Sequence, residues 1–264
     1  MVMHVPIQAA ELPDALLARG RYSAASAELR ELTGLADDAF DQAMYRLRRA
    51  GKLVSPAKGF WVVVPAEYRS LGGPPPEWYV DGMLRHLDRG YYVSLLTAAA
   101  VHGARHQAAM SFQVVVDRHL PPRRVGRARF EFVTDAHIAQ MEVVSSPTHT
   151  GGYQLATRET TVIDLVWQPR RSGGLGNVLT VLAEIGELDS ERIATLASVR
   201  STAVARRLGW LLERARPEVD LAPLLQVAHA VSSEPTSLSA GAPRRGIVDR
   251  TWLVRVNANV EADR

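Results

Sequence analysis

The sequence predicts an α/β (α+β) chain in two parts: a winged helix-turn-helix over residues 1–72 and a larger mixed α/β domain over residues 73–264 whose second half is helical. Three observations predict it. Helical apolar spacing recurs three times before Gly51 and is followed by two β-rich runs, the order of three helices and a hairpin. The segment Ser70–Trp78, SLGGPPPEW, places two Gly and three Pro in nine residues and marks a linker or domain edge. Beyond it, helices and strands follow one another up to Ser145, and from Arg158 onward the spacing is helical.

The first helix rests on Leu12, Leu16 and Leu17, one turn apart, and stops before Gly20. Ser23 is expected to cap the second, AASAELRELTG, where Leu29 and Leu32 share a face and Gly34 supplies the turn. The third is DDAFDQAMYRLRRAG, with Asp37 and Asp38 at the positive end of its dipole. Phe40, Ala43, Met44 and Leu47 form its inner face, leaving Gln42, Tyr45, Arg46 and Arg49 outside. A hairpin follows in LVSPAKGFWVVVP, with its turn expected over Ser55, Pro56, Ala57, Lys58 and Gly59.

A helix with a dedicated outer face can enter the major groove of DNA while a hairpin tip reaches a neighbouring phosphate. Charge supports this. From Arg46 to Ala66 the chain has five basic residues and no acid, and Lys52 and Lys58, its only lysines, stand at the start and the tip of the wing. The expected DNA-contacting set is Ser23, Gln42, Tyr45, Arg46, Arg48, Arg49, Lys52 and Lys58. Asp37, Asp38 and Asp41 argue the other way, because they occupy the end of the helix that approaches DNA. A protein-interaction adaptor built on a winged helix, or a general regulator, is the alternative reading.

The second part reads as helices near Tyr79–Leu87 and Val93–His102 and strands at Phe112–Asp117, Arg129–Val133 and Glu142–Ser145. Five helical stretches, a polar loop over Glu234–Gly246 and a closing strand at Thr251–Val256 complete it. The stretch Arg118–Arg129 carries Arg123, Arg124 and Arg127 on a Pro- and Gly-containing connection, a candidate second basic patch or a solvated hairpin loop.

No pattern of enzymatic chemistry rises above the bland reading. Cysteine is absent, which removes thiolate chemistry and disulfides. His102 and His106 are four apart without a glutamate between them, so no metal site is expected. SGGLGN, Ser172–Asn177, lacks the lysine of a phosphate loop and reads as a turn between helices. Glu159 and Asp164 lie among core residues, as helix caps or partners of Arg. Catalytic residues, cofactors and metals are therefore expected to be none. With 47% hydrophobic and 22% charged residues and no apolar run of membrane length, the expectation is a folded cytoplasmic protein without a membrane contact. Arg makes up 29 of the 31 basic residues, which at a net charge of +3 speaks for nucleic acid only where the residues cluster.

Five stretches carry a family resemblance. They are YRLRRAGKLVSPAKGFWVVVP, YYVSLLTAAAVHGARHQ before FQVVVD, ATRETTVIDLVWQPRRSGG, RRLGWLLE and WLVRVNANVEAD. In this order the chain resembles the AbiEi-type antitoxins of type IV toxin-antitoxin (abortive infection) systems, over most of residues 40–260. The resemblance implies an antitoxin that represses its own operon through inverted repeats in promoter DNA and antagonises a nucleotidyltransferase-like toxin, with or without a stable complex. It places DNA recognition on the winged helix, here Tyr45, Arg46, Arg49, Lys52 and Lys58, and the antitoxic activity on the larger domain.

Overall fold

The computed structural model describes residues 6–104 and 110–262. The chain packs as two compact units, Met1–Tyr91 with Val116–Thr134 and Ser145–Gln154, and Tyr92–Val115 with Asp135–Val144 and Leu155–Arg264.

The first unit begins with α1 (Leu12–Leu17), whose Pro13 occupies a first-turn position where no helical N–H is lost. Then come β1 (Ser23–Ala25), α2 (Ser26–Thr33) and α3 (Asp37–Arg49). Gly34 ends α2 in the left-handed region at φ 64°. The strands β2 (Leu53–Ala57) and β3 (Phe60–Val63) complete an antiparallel sheet in the order β1-β3-β2, with Ser23 opposite Val62 and Leu53 opposite Val63. Leu12, Leu16, Leu29, Phe40, Met44, Leu47, Leu53 and Val63 meet in one core. It joins all three helices to the sheet, so the inner face of α3 is spent on packing.

Two expectations fail here. Ser23 caps nothing: it lies in β1, and α2 starts after Ala25 without a side-chain cap. Pairing with β3 draws residues 23–25 out of the helix they would otherwise extend. The wing turn spans two residues, not five, because β2 pairs as far as Ala57 opposite Phe60, and Gly59 at φ 76° supplies the tight bend. Ser70–Trp78 is folded into the unit: Gly73 and Pro74 are buried, and a Cβ on Gly72 would stand 2.9 Å from the Gly126 backbone.

Beyond β3 the order is α4 (Val80–His86), β4 (Tyr91–Val93), α5 (Leu95–Val101), β5 (Phe112–Val116), β6 (Arg123–Val125), β7 (Ala128–Thr134), β8 (Val143–Thr148) and β9 (Gly151–Ala156). Helices follow as α6 (Arg158–Trp167), α7 (Leu175–Glu184), α8 (Ser190–Arg200), α9 (Thr202–Ala215) and α10 (Ala222–His229). The strands β10 (Thr236–Ser237), β11 (Ile247–Asp249) and β12 (Val254–Val256) form a small sheet with β12 in the middle. The mixed α/β class is thus as predicted. In the first unit β6 and β7 form an antiparallel hairpin, and in the second β4 and β9 run parallel with Val93 opposite Leu155.

In the second unit α6 is the central element. Every residue from Glu159 to Val166 is buried, and the helix packs against α5, α7, α8 and α9. Thr157 caps it by accepting from the Thr160 N–H. Its Asp164 is fully buried and accepts from the Tyr92 hydroxyl at 3.0 Å, the Ser94 hydroxyl at 2.8 Å and an Arg200 Nη at 2.5 Å. The other Nη of Arg200 donates to buried Asp135 at 2.5 Å, and the guanidinium lies 4.2 Å above the Trp167 ring. Burial pushes the Asp164 carboxyl above its ordinary value against the pull of Arg200, Ser94 and Tyr92. Burial beside Asp164 likewise raises the Tyr92 hydroxyl.

Further on, Gly209 of α9 lies against the Trp252 ring so closely that no Cβ fits. Buried Arg206 donates to the carbonyls of Ala228, Ser232 and Glu234, which anchors the chain between α10 and the largely exposed segment Glu234–Gly246.

Removing Arg200 leaves two buried carboxylates without their cation. Arg200→Met is expected to lower the unfolding free energy by about 3–5 kcal/mol, read as a shifted urea midpoint at neutral pH. An unshifted midpoint would show that the three charges do not hold the unit together.

Candidate nucleic-acid interface

Helix α3 keeps its two faces apart. Phe40, Ala43, Met44 and Leu47 are buried, while Gln42, Tyr45, Arg46, Arg48 and Arg49 are exposed. Gln42, Tyr45, Arg46 and Arg49 are spaced by three or four residues and so share one strip. Tyr45 is 60% exposed, and the Arg49 guanidinium lies 5.9 Å from its ring centroid. The strip therefore offers an amide, a phenol and two guanidiniums, donors of the kind that reach base edges and phosphates.

The acidic first turn is partly neutralised. Arg30 of α2 places its Nε 3.1 Å from Asp37 and an Nη 3.6 Å from Asp41, and stacks 4.5 Å from the centroid of Phe40. These acids thus brace the corner between α2 and α3. Exposed pairs of this kind contribute only about 0–1 kcal/mol to stability each. Their larger consequence is local charge. Sequence reasoning missed Arg30 because its partners lie across a turn, outside the helical spacing that reveals pairs within one helix.

The wing is held at its tip. Its Lys58 side chain is exposed, but the Lys58 carbonyl accepts from His86 Nε2 of α4 at 2.9 Å. The Gly59 carbonyl accepts from the Ser26 N–H at 2.8 Å, and Trp61 Nε1 donates to the Ser26 hydroxyl at 2.8 Å. On the other strand, Arg123 of β6 donates to the Pro56 carbonyl at 2.6 Å. With no carboxylate near it, burial lowers the Arg123 pKa.

The expected basic patch is therefore divided. Arg123 is half-buried and engaged with the wing, Arg124 is exposed and donates to the Gly126 carbonyl, and Arg127 is exposed at the turn of the β6–β7 hairpin. The Arg127 N–H bonds the Leu71 carbonyl at 2.9 Å, so the hairpin is seated on the Gly72 segment instead of hanging free. Lys52 is half-buried at the start of β2. Ser23 is half-buried too, its hydroxyl 3.3 Å from where a Cβ on Gly82 would stand, so it faces α4.

The other candidates divide similarly. His102 follows α5 and donates through Nε2 to the Ala156 carbonyl at 2.7 Å, while His106 lies outside the described residues. Glu159 accepts from the Asp189 N–H at 3.2 Å, and Asp164 pairs with Arg200, a structural use of both acids. In SGGLGN, Ser172–Gly174 belong to the turn between α6 and α7 and Leu175–Asn177 open α7, with Asn177 Nδ2 bonded to the Ser172 carbonyl. Among the described residues no three His, Cys, Asp or Glu side chains come together as a metal site, and no helix is long and apolar enough to cross a membrane.

Comparison with known proteins brings in residues 92–214, which match the family described as AbiEi antitoxin C-terminal domain. The fold is similar to the crystal structure of the RV2827C protein from Mycobacterium tuberculosis, at 17% identity and a TM-score of 0.67 over 93% of this chain and 90% of that one. No curated protein matches the sequence.

The anchoring of the wing has a measurable consequence. Arg123→Ala removes one charged donor from the Pro56 carbonyl, and His86→Ala one donor from the Lys58 carbonyl. Each is expected to cost about 1 kcal/mol and to speed amide exchange in peptides covering residues 52–64. Exchange unchanged in both variants would show that the hairpin holds its own shape.

Proposed function

We propose that this chain, whose residues 92–214 match the AbiEi antitoxin C-terminal domain family, is an antitoxin that also represses its own operon by binding promoter DNA. The family carries the antitoxin role in a toxin-antitoxin system and implies a toxin as partner. The observation that supports the finer reading is the divided surface of α3, whose inner face is committed to the core while Gln42, Tyr45, Arg46 and Arg49 stand outside.

In this reading residues 1–72 act as a winged helix-turn-helix and residues 73–264 carry the antitoxic activity. Helix α3 enters the major groove, and Arg46 and Arg49 supply the charged donors for base edges and phosphates. Arg48, Lys52 and Lys58 contact flanking phosphates, a sequence-independent attraction that weakens with salt. Arg124 and Arg127 extend the positive surface beside the wing, and Arg123 serves it as an anchor. Ser23 leaves the set, because its hydroxyl faces α4. Arg30 keeps Asp37 and Asp41 compatible with a nearby phosphate by supplying a cation between them. The toxin partner is a nucleotidyltransferase-like protein encoded beside this gene, and the operator is an inverted repeat in the shared promoter.

A gel shift with the chain's own promoter at several salt concentrations tests the DNA reading. Arg46→Ala and Arg49→Ala are each expected to weaken binding by about 1–3 kcal/mol. Lys58→Ala is expected to reduce the slope of log affinity against log salt by about 1. Promoter binding indifferent to all three changes would remove the proposed face and favour a protein-interaction adaptor. Growth rescue from the neighbouring toxin should survive these substitutions, since they lie outside residues 73–264.

A further inference from the structure

The second unit contains a cleft that the DNA-binding reading does not use. It measures about 400 Å³, within the roughly 300–1,000 Å³ typical of small-molecule sites. Its walls are the end of α6 with Trp167, Gln168, Pro169 and Arg170, the start of α7 with Gly174 and Leu175, Arg207 of α9, and the strip Leu238–Gly241.

Two arginines open on this cleft, and no carboxylate lines it. Arg207 is half-buried, and its Nε donates to the Ser237 carbonyl at 2.9 Å. That bond orients the guanidinium and leaves both Nη groups without a partner among the described residues. Burial lowers its pKa, with no acid nearby to compensate. Arg170 is exposed at the rim, its Nη2 2.9 Å from where a Cβ on Gly241 would stand, so its guanidinium lies close along the Gly241 backbone. An anion in the cleft would meet both guanidiniums with no carboxylate among the described lining residues to compete for them.

The frame is preformed. Asn257 accepts from the Ser239 N–H and donates to the Ser239 carbonyl, both at 2.9 Å, and the Leu238 N–H bonds the Arg255 carbonyl at 2.9 Å. Helix α7 has Gly174 as its N-cap with no side-chain cap, and Gly174 and Leu175 line the cleft, so the positive end of the helix borders it. Trp167, Pro169, Leu175 and Leu238 give the cleft an apolar side.

We infer that this cleft binds a nucleoside phosphate, with the phosphates between Arg170 and Arg207 at the open end of α7 and the base against the side formed by Trp167, Leu175 and Leu238. Paired guanidiniums match phosphate geometry, and the aromatic and apolar walls match a planar base. The inference is independent of DNA binding by residues 1–72.

Calorimetric titration of the full chain with the four ribonucleoside triphosphates, the corresponding nucleosides and inorganic pyrophosphate tests it. At least one triphosphate is expected to bind with a Kd below about 1 mM, and its nucleoside at least about tenfold more weakly. Arg170→Gln and Arg207→Gln should each weaken the triphosphate by about tenfold or more, with Arg244→Gln, exposed and outside the cleft, unchanged. Circular dichroism confirms that each variant is folded; if Arg207→Gln is not, exposed Arg170 alone decides the outcome. Absence of triphosphate binding at about 5 mM, or binding that both variants retain, overturns the inference. Pyrophosphate binding as tightly as every triphosphate overturns the nucleoside part. Binding of an RNA or DNA oligonucleotide that the variants abolish, without triphosphate binding, reassigns the cleft to a nucleic-acid backbone.

Discussion

A guanidinium buried between two buried carboxylates is the constraint around which the second unit is arranged. Arg200 ends α8, Asp164 lies in the middle of α6, and Asp135 precedes β8 by eight residues. A charge in this interior is tolerable only with its partners in hydrogen-bonding position, because removing it from water costs several kcal/mol. The three backbones are therefore held in one relation. Tyr92 and Ser94 fill the remaining acceptor sites of Asp164, which ties the end of β4 to the same point. Since Arg200 also lies on Trp167, the guanidinium that organises the core sets a wall of the cleft beyond it.

The first unit is organised by division of labour along one helix. The apolar face of α3 is needed to close a small core of three helices and a sheet, so its other face is left for water or a partner. The hairpin beside it is held at its tip through His86 and at β2 through Arg123, instead of projecting in isolation. A hairpin held in this way leaves the backbone at Lys58 with little conformational freedom. The residues that do this holding carry positive charge or a ring N–H and would be mistaken in sequence for contact residues themselves.

Arginine serves three distinct physical purposes in this chain. The side chains of Arg200 and Arg206 are buried and held, one by carboxylates and one by carbonyls, and are structural. Arg46, Arg48 and Arg49 are exposed on a helix whose other face is packed. Arg170 and Arg207 sit in a concave site without an acid. Composition reports the excess of arginine but cannot sort it, because the purpose depends on which groups lie within a few ångströms.

By itself the sequence determined what local periodicity and local sterics decide. The α/β class, the three N-terminal helices, the inner and outer faces of α3, the helical second half and the family stretches were all legible there, because side chains three or four apart on a helix share a face whatever surrounds them. Tertiary structure alone decided the rest. The strands β1, β4 and β6 are three residues each, too short to show a period, and exist because a distant strand completes their hydrogen bonds. Arg200 finds Asp164 across 36 residues and Arg123 finds Pro56 across 67. Ser23 reads as a cap in sequence and becomes a strand residue because β3 offers its backbone a better partner than the helix does. Pairings of this range are set by how the packed elements fold back on one another, and no short window of sequence contains that information.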